Sequence, residues 1–394
     1  MNNFILFLIP MISSFGLLAG LSLSVTIPLF FIANLFYVND AFKVDIWALK
    51  LEIMFLIWLL ISLLWSLSTK TGILSLITIA SIFSIASILI LNIEIVGRNI
   101  FISGNNFMFA LLIAITLFFF EYMSSGLVST SFRKLFQTKD NYKFYLHYLD
   151  RGCAFISLFG WAGIAALLKE KKYKSSVIIY ILILVMLYIS DSLAAFIGFF
   201  ISAFVFLLTQ YISALKPKIL ALLLVASSIF FISVIFKINP YQISNEYSFL
   251  PISAKHRLFI WSYASEKISE KPLLGWGHGS SRAFINAEDA KMIDYENQKL
   301  HPLPLHPHNN LVQILLENGI IGGVLYLGLI IKYLFTFDKF TAKHIDKNKY
   351  TKSAGYACFS VFFIISMISF NMWQSWWLCS YLWAAFIFCY ITVR

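Results

Sequence analysis

What most constrains this chain is a succession of apolar runs, each close to the length of one bilayer crossing. They lie at about 4–20, 21–38, 51–67, 72–92, 106–123, 152–168, 175–190, 193–212, 218–236, 311–335, 354–371 and 374–392. A helix needs about 20 apolar residues to cross the hydrocarbon core, where only a helix or a closed barrel satisfies its own backbone. The runs therefore predict an all-α polytopic membrane protein with about twelve transmembrane helices. Composition agrees, because 60% of the 394 residues are hydrophobic and 12% are charged, against about 25% charged in soluble domains. A water-facing globular enzyme is excluded. The first two runs are nearly continuous, so Gly16, Gly20 and Pro28 leave room for a re-entrant pair. Met1-Asn2-Asn3 supplies no basic residue ahead of the first run, which reads as a retained helix and not as a signal peptide.

The formal charge of +11 would suggest nucleic acid in a soluble protein. Here loop topology accounts for it first, because cytoplasmic loops carry excess Lys and Arg. Twelve spans place both termini on one side. With the termini in the cytoplasm, 16 of the 30 Lys and Arg fall inside, and only six fall in short outer loops. Five of those six, Arg133, Lys134, Lys139, Lys143 and Arg151, crowd the single outer loop at about 124–151. Cys153, Cys358, Cys379 and Cys389 sit in or beside apolar runs without metal-ligand spacing, so neither a disulfide framework nor a zinc site is expected.

The chain divides into a nine-helix membrane region (1–236), an outer loop with no spanning run (237–310), and a three-helix membrane region (311–394). The loop holds five of the seven histidines and six of the nine prolines. Within it, the spacing predicts a helix from Ser253 to about Lys271, ended by Pro272, with Leu258, Trp261, Ala264 or Ser265, and Ile268 on one face. Arg257 stands one turn before Trp261 on that face, as a ligand contact or as an Arg snorkelling beside an interfacial Trp. Gly275, Gly277 and Gly279 alternate in Pro272–Ser281, which is either a turn or a backbone cradle for an anion. The carboxylates Glu288, Asp289, Asp294 and Glu296 read as the solvated face of a helix at about 281–299.

His306-Pro307-His308-Asn309-Asn310 runs straight into the tenth span. Asn310 with Gln313 reads as a capping box, which sets His308 just outside a helix N-terminus, where the positive helix end favours a neutral, proton-accepting imidazole. Glu317 and Asn318 follow, with Gly319, Gly322 and Gly323 allowing close packing. His301, His306 and His308 cluster, but the intervening prolines make a loop without the helical spacing of a zinc site. Asp150-Arg151-Gly152 and Ser190-Asp191-Ser192 place further ionisable residues at span edges on the same face.

Arg257-x-x-x-Trp261, Pro-Leu-Leu-Gly-x-Gly at 272–277, and His308-Asn309 followed by Leu-Leu-Glu-Asn-Gly at 315–319 together resemble the O-antigen ligase and polymerase superfamily. The twelve-span layout with one large loop before the tenth span extends the resemblance over most of the chain. It implies a membrane fold related to GT-C glycosyltransferases, in the bacterial inner membrane. The activity implied is transfer of a glycan from undecaprenyl pyrophosphate to an acceptor on the periplasmic face, with no metal and no cofactor. His308 occupies the position of the catalytic histidine, and Arg257 and Arg151 those of pyrophosphate-binding arginines, with Asn309, Glu317, Trp261, Gly275 and Gly277 in support. Family ligases often carry a basic residue shortly after Ser-x-Ser, where this chain has Leu193-Ala194-Ala195, a departure from the family pattern that bears on Arg151 and not on Arg257. The expected reaction is that of an O-antigen ligase, attaching glycan to a sugar hydroxyl of lipid A–core. An O-antigen polymerase or protein O-oligosaccharyltransferase of the same family is the alternative. A transporter or flippase for lipid-linked glycan is the rival from another class; the span middles are almost free of charge, which speaks against it.

Overall fold

The computed structural model describes residues 11–36, 47–91, 103–136, 144–212, 216–288, 290–296, 298–344 and 349–393. Residues 11–18 are helical, and the chain breaks at Ala19 before a 3₁₀ turn and α1 (Leu23–Phe36). There follow α2 (Lys50–Ser62), α3 (Thr69–Leu91), α4 (Gly104–Met123), α5 (Leu127–Phe136), α6 (Asp150–Lys169), α7 (Tyr173–Ile189), α8 (Leu193–Tyr211) and α9 (Lys216–Ile235). Beyond these come α10 (Pro240–Glu246), α11 (Ile252–Glu270), a 3₁₀ turn (Ser280–Asn286), β1 (Ile293–Tyr295), β2 (Gln298–Leu300), α12 (Asn310–His344), α13 (Lys349–Ile368) and α14 (Ser375–Val393). Among the described residues, nine helices are long and apolar enough to cross a membrane, and each falls on one of the expected runs. The run at 175–190 is met by a 17-residue helix, α7. The first ten residues of the chain lie outside the described residues, as do Lys139 and Lys143 of the basic loop.

The centre of the bundle is α6, buried continuously from Gly152 to Leu168. Its sequence explains this, because Gly, Ala, Cys and Ser make up nine of these 17 residues and let neighbouring backbones approach. A side chain at Gly152 would place its Cβ 2.1 Å from the Leu17 carbonyl oxygen. Phe107, Leu111, Ile183, Phe199 and Trp377 pack into the same core. A second core lies where α2, α3, α11 and α12 meet, through Phe55, Leu59, Ile79, Ile260, Ala264 and Leu316. This second core carries the polar segment 237–309.

Helix α11 ends at Glu270, two residues before Pro272, with Ala264, Ser265 and Ile268 buried. The helix expected at 281–299 is replaced by the 3₁₀ turn and an antiparallel hairpin pairing Ile293 with Leu300 and Tyr295 with Gln298. Burial here follows period two. Ile293 and Tyr295 turn inward around exposed Asp294, and Tyr295 and Leu300 close over Phe259 of α11. Glu296, with φ +49°, is also more than a solvated carboxylate, since it pairs with the buried Lys255 at 2.7 Å.

Helix α12 is interrupted at Gly319, where φ is +63° and ψ −168°, a region essentially reserved for glycine. The break frees backbone groups, and the segment after α11 fills them. Trp276 N–H donates to Leu316 O (2.9 Å) and Gly277 N–H to Glu317 O (2.7 Å), while Ile320 N–H donates to Pro272 O (2.8 Å). The alternating glycines are therefore a packing device, with their backbone set against α12 and the α2–α3 turn, and not an open anion cradle. At Gly277 a Cβ would lie 2.3 Å from Ser66 Cα.

Candidate active site

The polar loop and the helix ends converge at one end of the bundle, and α11 organises them. Trp261 Nε1–H donates to the Pro307 carbonyl (2.9 Å), holding the peptide between His306 and His308. His256 Nε2 lies 2.8 Å from the His301 carbonyl oxygen, so that ring donates there too. The spacing Arg257-x-x-x-Trp261 thus has a geometric reason. The Trp anchors the histidine loop, and Arg257, one turn away on the same helix, carries a positive charge that acts on both His306 and His308.

His308 is half-buried and adopts a left-handed backbone, φ +54°. Its Nδ1 stands 2.7 Å from the carbonyl oxygen of Ser369, in the turn between α13 and α14. A carbonyl can only accept, so Nδ1 carries the proton and Nε2 presents a lone pair. Burial and the Arg257 charge push the imidazole down to about 4, and His306 to about 3, through burial, His308 and two arginines. Both rings are neutral at physiological pH. The helix cap differs from the expected one by a single position: Asn309 Oδ1 accepts from Val312 N–H (2.9 Å), so Asn309 caps α12. Gln313 is thereby released to bind the α13–α14 turn, accepting from Met372 N–H (3.1 Å) and donating to Asn371 (3.3 Å). With Asn309 Nδ2 on the Met367 carbonyl (2.6 Å), these bonds fix the turn that offers Ser369 to His308.

Glu317 is the hub beneath this layer. Its carboxylate is buried and accepts from Gly279 N–H (2.9 Å), Ser281 N–H (3.3 Å), Ser281 Oγ (2.5 Å), Gln313 Nε2 (3.1 Å) and Trp373 Nε1 (2.7 Å). Beside it, the buried His278 donates from Nε2 to Ser75 Oγ (2.7 Å), whose own proton goes to Gly72 O. Its Nδ1 lies 3.8 Å from Glu317. Burial pulls the His278 imidazole below its ordinary value, and the carboxylate opposes this. His301 has both nitrogens engaged by backbone, at Ile285 O (3.0 Å) and Leu303 N–H (3.1 Å), which sets it apart from His306 and His308.

Asp150 opens α6 and Asp191 lies in the α7–α8 turn, with φ +59°. Asp150 feels the charges of Asp191, Arg257 and Arg151, and Arg257 in turn feels Asp150, so the two sequence-distant span edges are coupled by charge, and Asp150 is coupled to α11. Arg151 is exposed and belongs to this acidic corner; of the two expected arginines, only Arg257 acts on the histidines as well. Sequence reasoning misses Arg282. It is exposed on the 3₁₀ turn, and its charge acts on His306. No local pattern singles it out: what brings Arg282 to the site is the 3₁₀ turn that Ser281 ties to Glu317, where a helix is expected over 281–299.

A family model described as O-antigen ligase matches residues 178–327, the stretch that contains α11, the glycine loop, His308 and Glu317. Relatives provisionally named polysaccharide ligase are similar over nearly the whole chain. One from Rickettsia typhi is 38% identical over 97% of this chain and 96% of its own length. Another from Rickettsia prowazekii is 36% identical, again over 97% and 96%. A third, from Rickettsia conorii, is 45% identical over 70% of this chain and 63% of its own length.

Proposed function

Because this chain belongs to the O-antigen ligase superfamily and is a glycan-transferring membrane enzyme, we propose that it joins a lipid-linked glycan to a sugar hydroxyl with His308 as general base. The observation that carries this reading is the Nδ1–H···O=C Ser369 bond, which leaves Nε2 as the acceptor beside Arg257. In the proposed step, the acceptor O–H gives its proton to His308 Nε2 while its oxygen attacks the anomeric carbon. The bond from that carbon to the diphosphate oxygen breaks, the electron pair leaves with the diphosphate, and the configuration inverts. Diphosphate departs without protonation, so no partner acid is required, unlike a glycosidase. Arg257 offers a permanently charged fork to the leaving group. Arg282 supplies charge from the His306 side, and Arg151 from the acidic corner.

Burial first, and the Arg257 charge after it, suppress the basicity of the His308 imidazole, and a bound diphosphate brings negative charge that offsets the Arg257 part and raises the ring from that low value. The base is strengthened when the donor is in place, which protects the site from acting on its acceptor alone.

The donor of this reading is a glycan on undecaprenyl pyrophosphate, and the acceptor is lipid A–core. The chain lies in the bacterial inner membrane, with its termini in the cytoplasm and His308 at the periplasmic face. The interrupted α12 is a feature that transporters use to bind cargo, but the groups freed at Gly319 are met by Pro272, Trp276 and Gly277, which favours transfer over transport. The test is purified protein in detergent with undecaprenyl-pyrophosphate glycan and lipid A–core, with EDTA in a parallel arm. A covalent product in both arms, absent in His308→Ala that elutes and unfolds like wild type, is the expected result. Product formation by His308→Ala overturns the assignment of the base, and loss of product with EDTA overturns the metal-free mechanism. In cells, deletion should remove all O-antigen bands; a residual core-plus-one-repeat band would point to polymerisation.

A further inference from the structure

Two residues before the base stands a second imidazole that the transfer step leaves unused. His306 is buried, 9% exposed. Its Nδ1 accepts the backbone N–H of His308 at 3.1 Å, and the two rings lie 4.1 Å apart between centroids. That bond closes a tight turn over Pro307, whose carbonyl is held by Trp261. The turn puts His308 in the left-handed region at φ +54°, which a non-glycine residue occupies only when its surroundings enforce it.

Three restraints therefore act on His308. Trp261 holds the peptide before it, Ser369 holds its ring, and His306 holds its own N–H. Trp261 and His306 grip the two ends of one peptide, its C=O and its N–H, and so fix the plane from which the ring is aimed; with the N–H left unpaired, the backbone could relax toward the ordinary right-handed or extended regions. An imidazole Nδ1 does here what an Asn or Ser oxygen does in an Asx or ST turn, accepting from the N–H two residues on. We propose that His306 is a positioning residue for His308, acting through its Nδ1 on the backbone of the base and not as a second base. The inference rests on the reading of His308 as the base, and it goes beyond that reading by giving one side-chain atom, His306 Nδ1, a part in holding the strained turn.

The variants that test it separate the two ring nitrogens. In His306→Asn the new amide Oδ1 can stand where Nδ1 stands, whereas in His306→Gln the longer amide reaches the place of Nε2. In the detergent assay with undecaprenyl-pyrophosphate glycan and lipid A–core, His306→Ala should lower kcat by on the order of 10²-fold, the penalty of a misaimed group, with little change in the KM for donor. His306→Asn should restore most of that loss and His306→Gln should not. If Gln rescues and Asn does not, the far nitrogen is the working atom and the proposal is overturned. If His306→Ala keeps wild-type kcat, it is overturned as well. Where His306→Ala does not fold, the comparison of Asn with Gln decides alone, each checked for wild-type unfolding temperature. His308→Ala run alongside keeps the two readings apart, since activity in that variant defeats the base assignment whatever His306 does.

Discussion

His308 and Glu317 stand at the two sides of the first turns of α12, and the structure treats their polar groups in opposite ways. Glu317 is buried and saturated, with five donors on its two oxygens. His308 is half-buried, holds a left-handed backbone, and keeps one ring nitrogen as a free acceptor beside an arginine. Arg257 continues the second pattern, since among the described residues it makes no salt bridge and responds to the charge of Asp150 alone. The difference separates scaffold from chemistry. A carboxylate whose lone pairs are all occupied has nothing left to offer a substrate, whereas an unfilled ring nitrogen on a strained turn and a guanidinium with no ion pair are capacity that a ligand completes.

The sharpest way to break this comparison is to truncate both residues. His308→Ala should cost activity by about 10²–10⁴-fold, the usual contribution of a positioned base, with an unchanged unfolding temperature. Glu317→Ala should do the reverse at the level of the fold. Several buried donors would lose their acceptor at about 1–3 kcal/mol each, lowering the unfolding temperature in detergent and the yield of inserted protein. Equal destabilisation by the two variants would erase the distinction. Next in size, Gly319→Ala forces a Cβ to 2.1 Å from the Leu273 carbonyl oxygen at a positive φ. It should destabilise by about 1–3 kcal/mol, read by thermal unfolding, and a neutral outcome would mean that the break in α12 is not needed to seat the glycine loop.

Smaller again is Trp261→Phe, which removes the hydrogen bond to Pro307 while keeping an aromatic body. A stability loss of about 0.5–1.5 kcal/mol is expected, together with a fall in kcat, because the anchor lies on the site side of the comparison. Stability loss with unaltered kcat would move Trp261 to the scaffold side. The smallest effect is a displacement in pH. His308 must be neutral to accept a proton, so rate falls as pH falls. The acid limb of kcat/KM should lie near about 4, the value that burial and Arg257 set, and that of kcat should lie higher, once bound diphosphate offsets Arg257. Coincident limbs would remove the proposed coupling. Stability has the same sign. The imidazoles of His306 and His308 bind protons less readily when folded than in the unfolded chain, so their contribution is complete above about 6.5 and is lost as pH falls toward about 4 for His308 and about 3 for His306.

Much of this was legible without coordinates. Pro272 marks the end of α11, the Arg257-Trp261 spacing marks a shared face, and His308 does precede a helix start. The misreadings have specific causes. Asn309 and Asn310 are equally good caps by type, and the choice between them was made by the α13–α14 turn, which claims Gln313. The acidic stretch after Arg282 has helix-compatible composition, yet it forms a hairpin because Tyr295 and Leu300 find Phe259. Alternate glycines fit a ligand cradle and a packing turn equally, and only the carbonyls freed at Gly319 distinguish the two.

Sequence alone determined the membrane-spanning helices, because an apolar helix satisfies its backbone with bonds four residues apart and needs no distant partner in lipid. It also placed a histidine at the mouth of one of them. The tertiary structure decided which nitrogen of that histidine is free, since the answer depends on the Ser369 carbonyl, 61 residues away. It likewise decided that Glu317 is filled and Arg257 is not, because hydrogen-bond saturation is a property of converging segments, which no local pattern encodes.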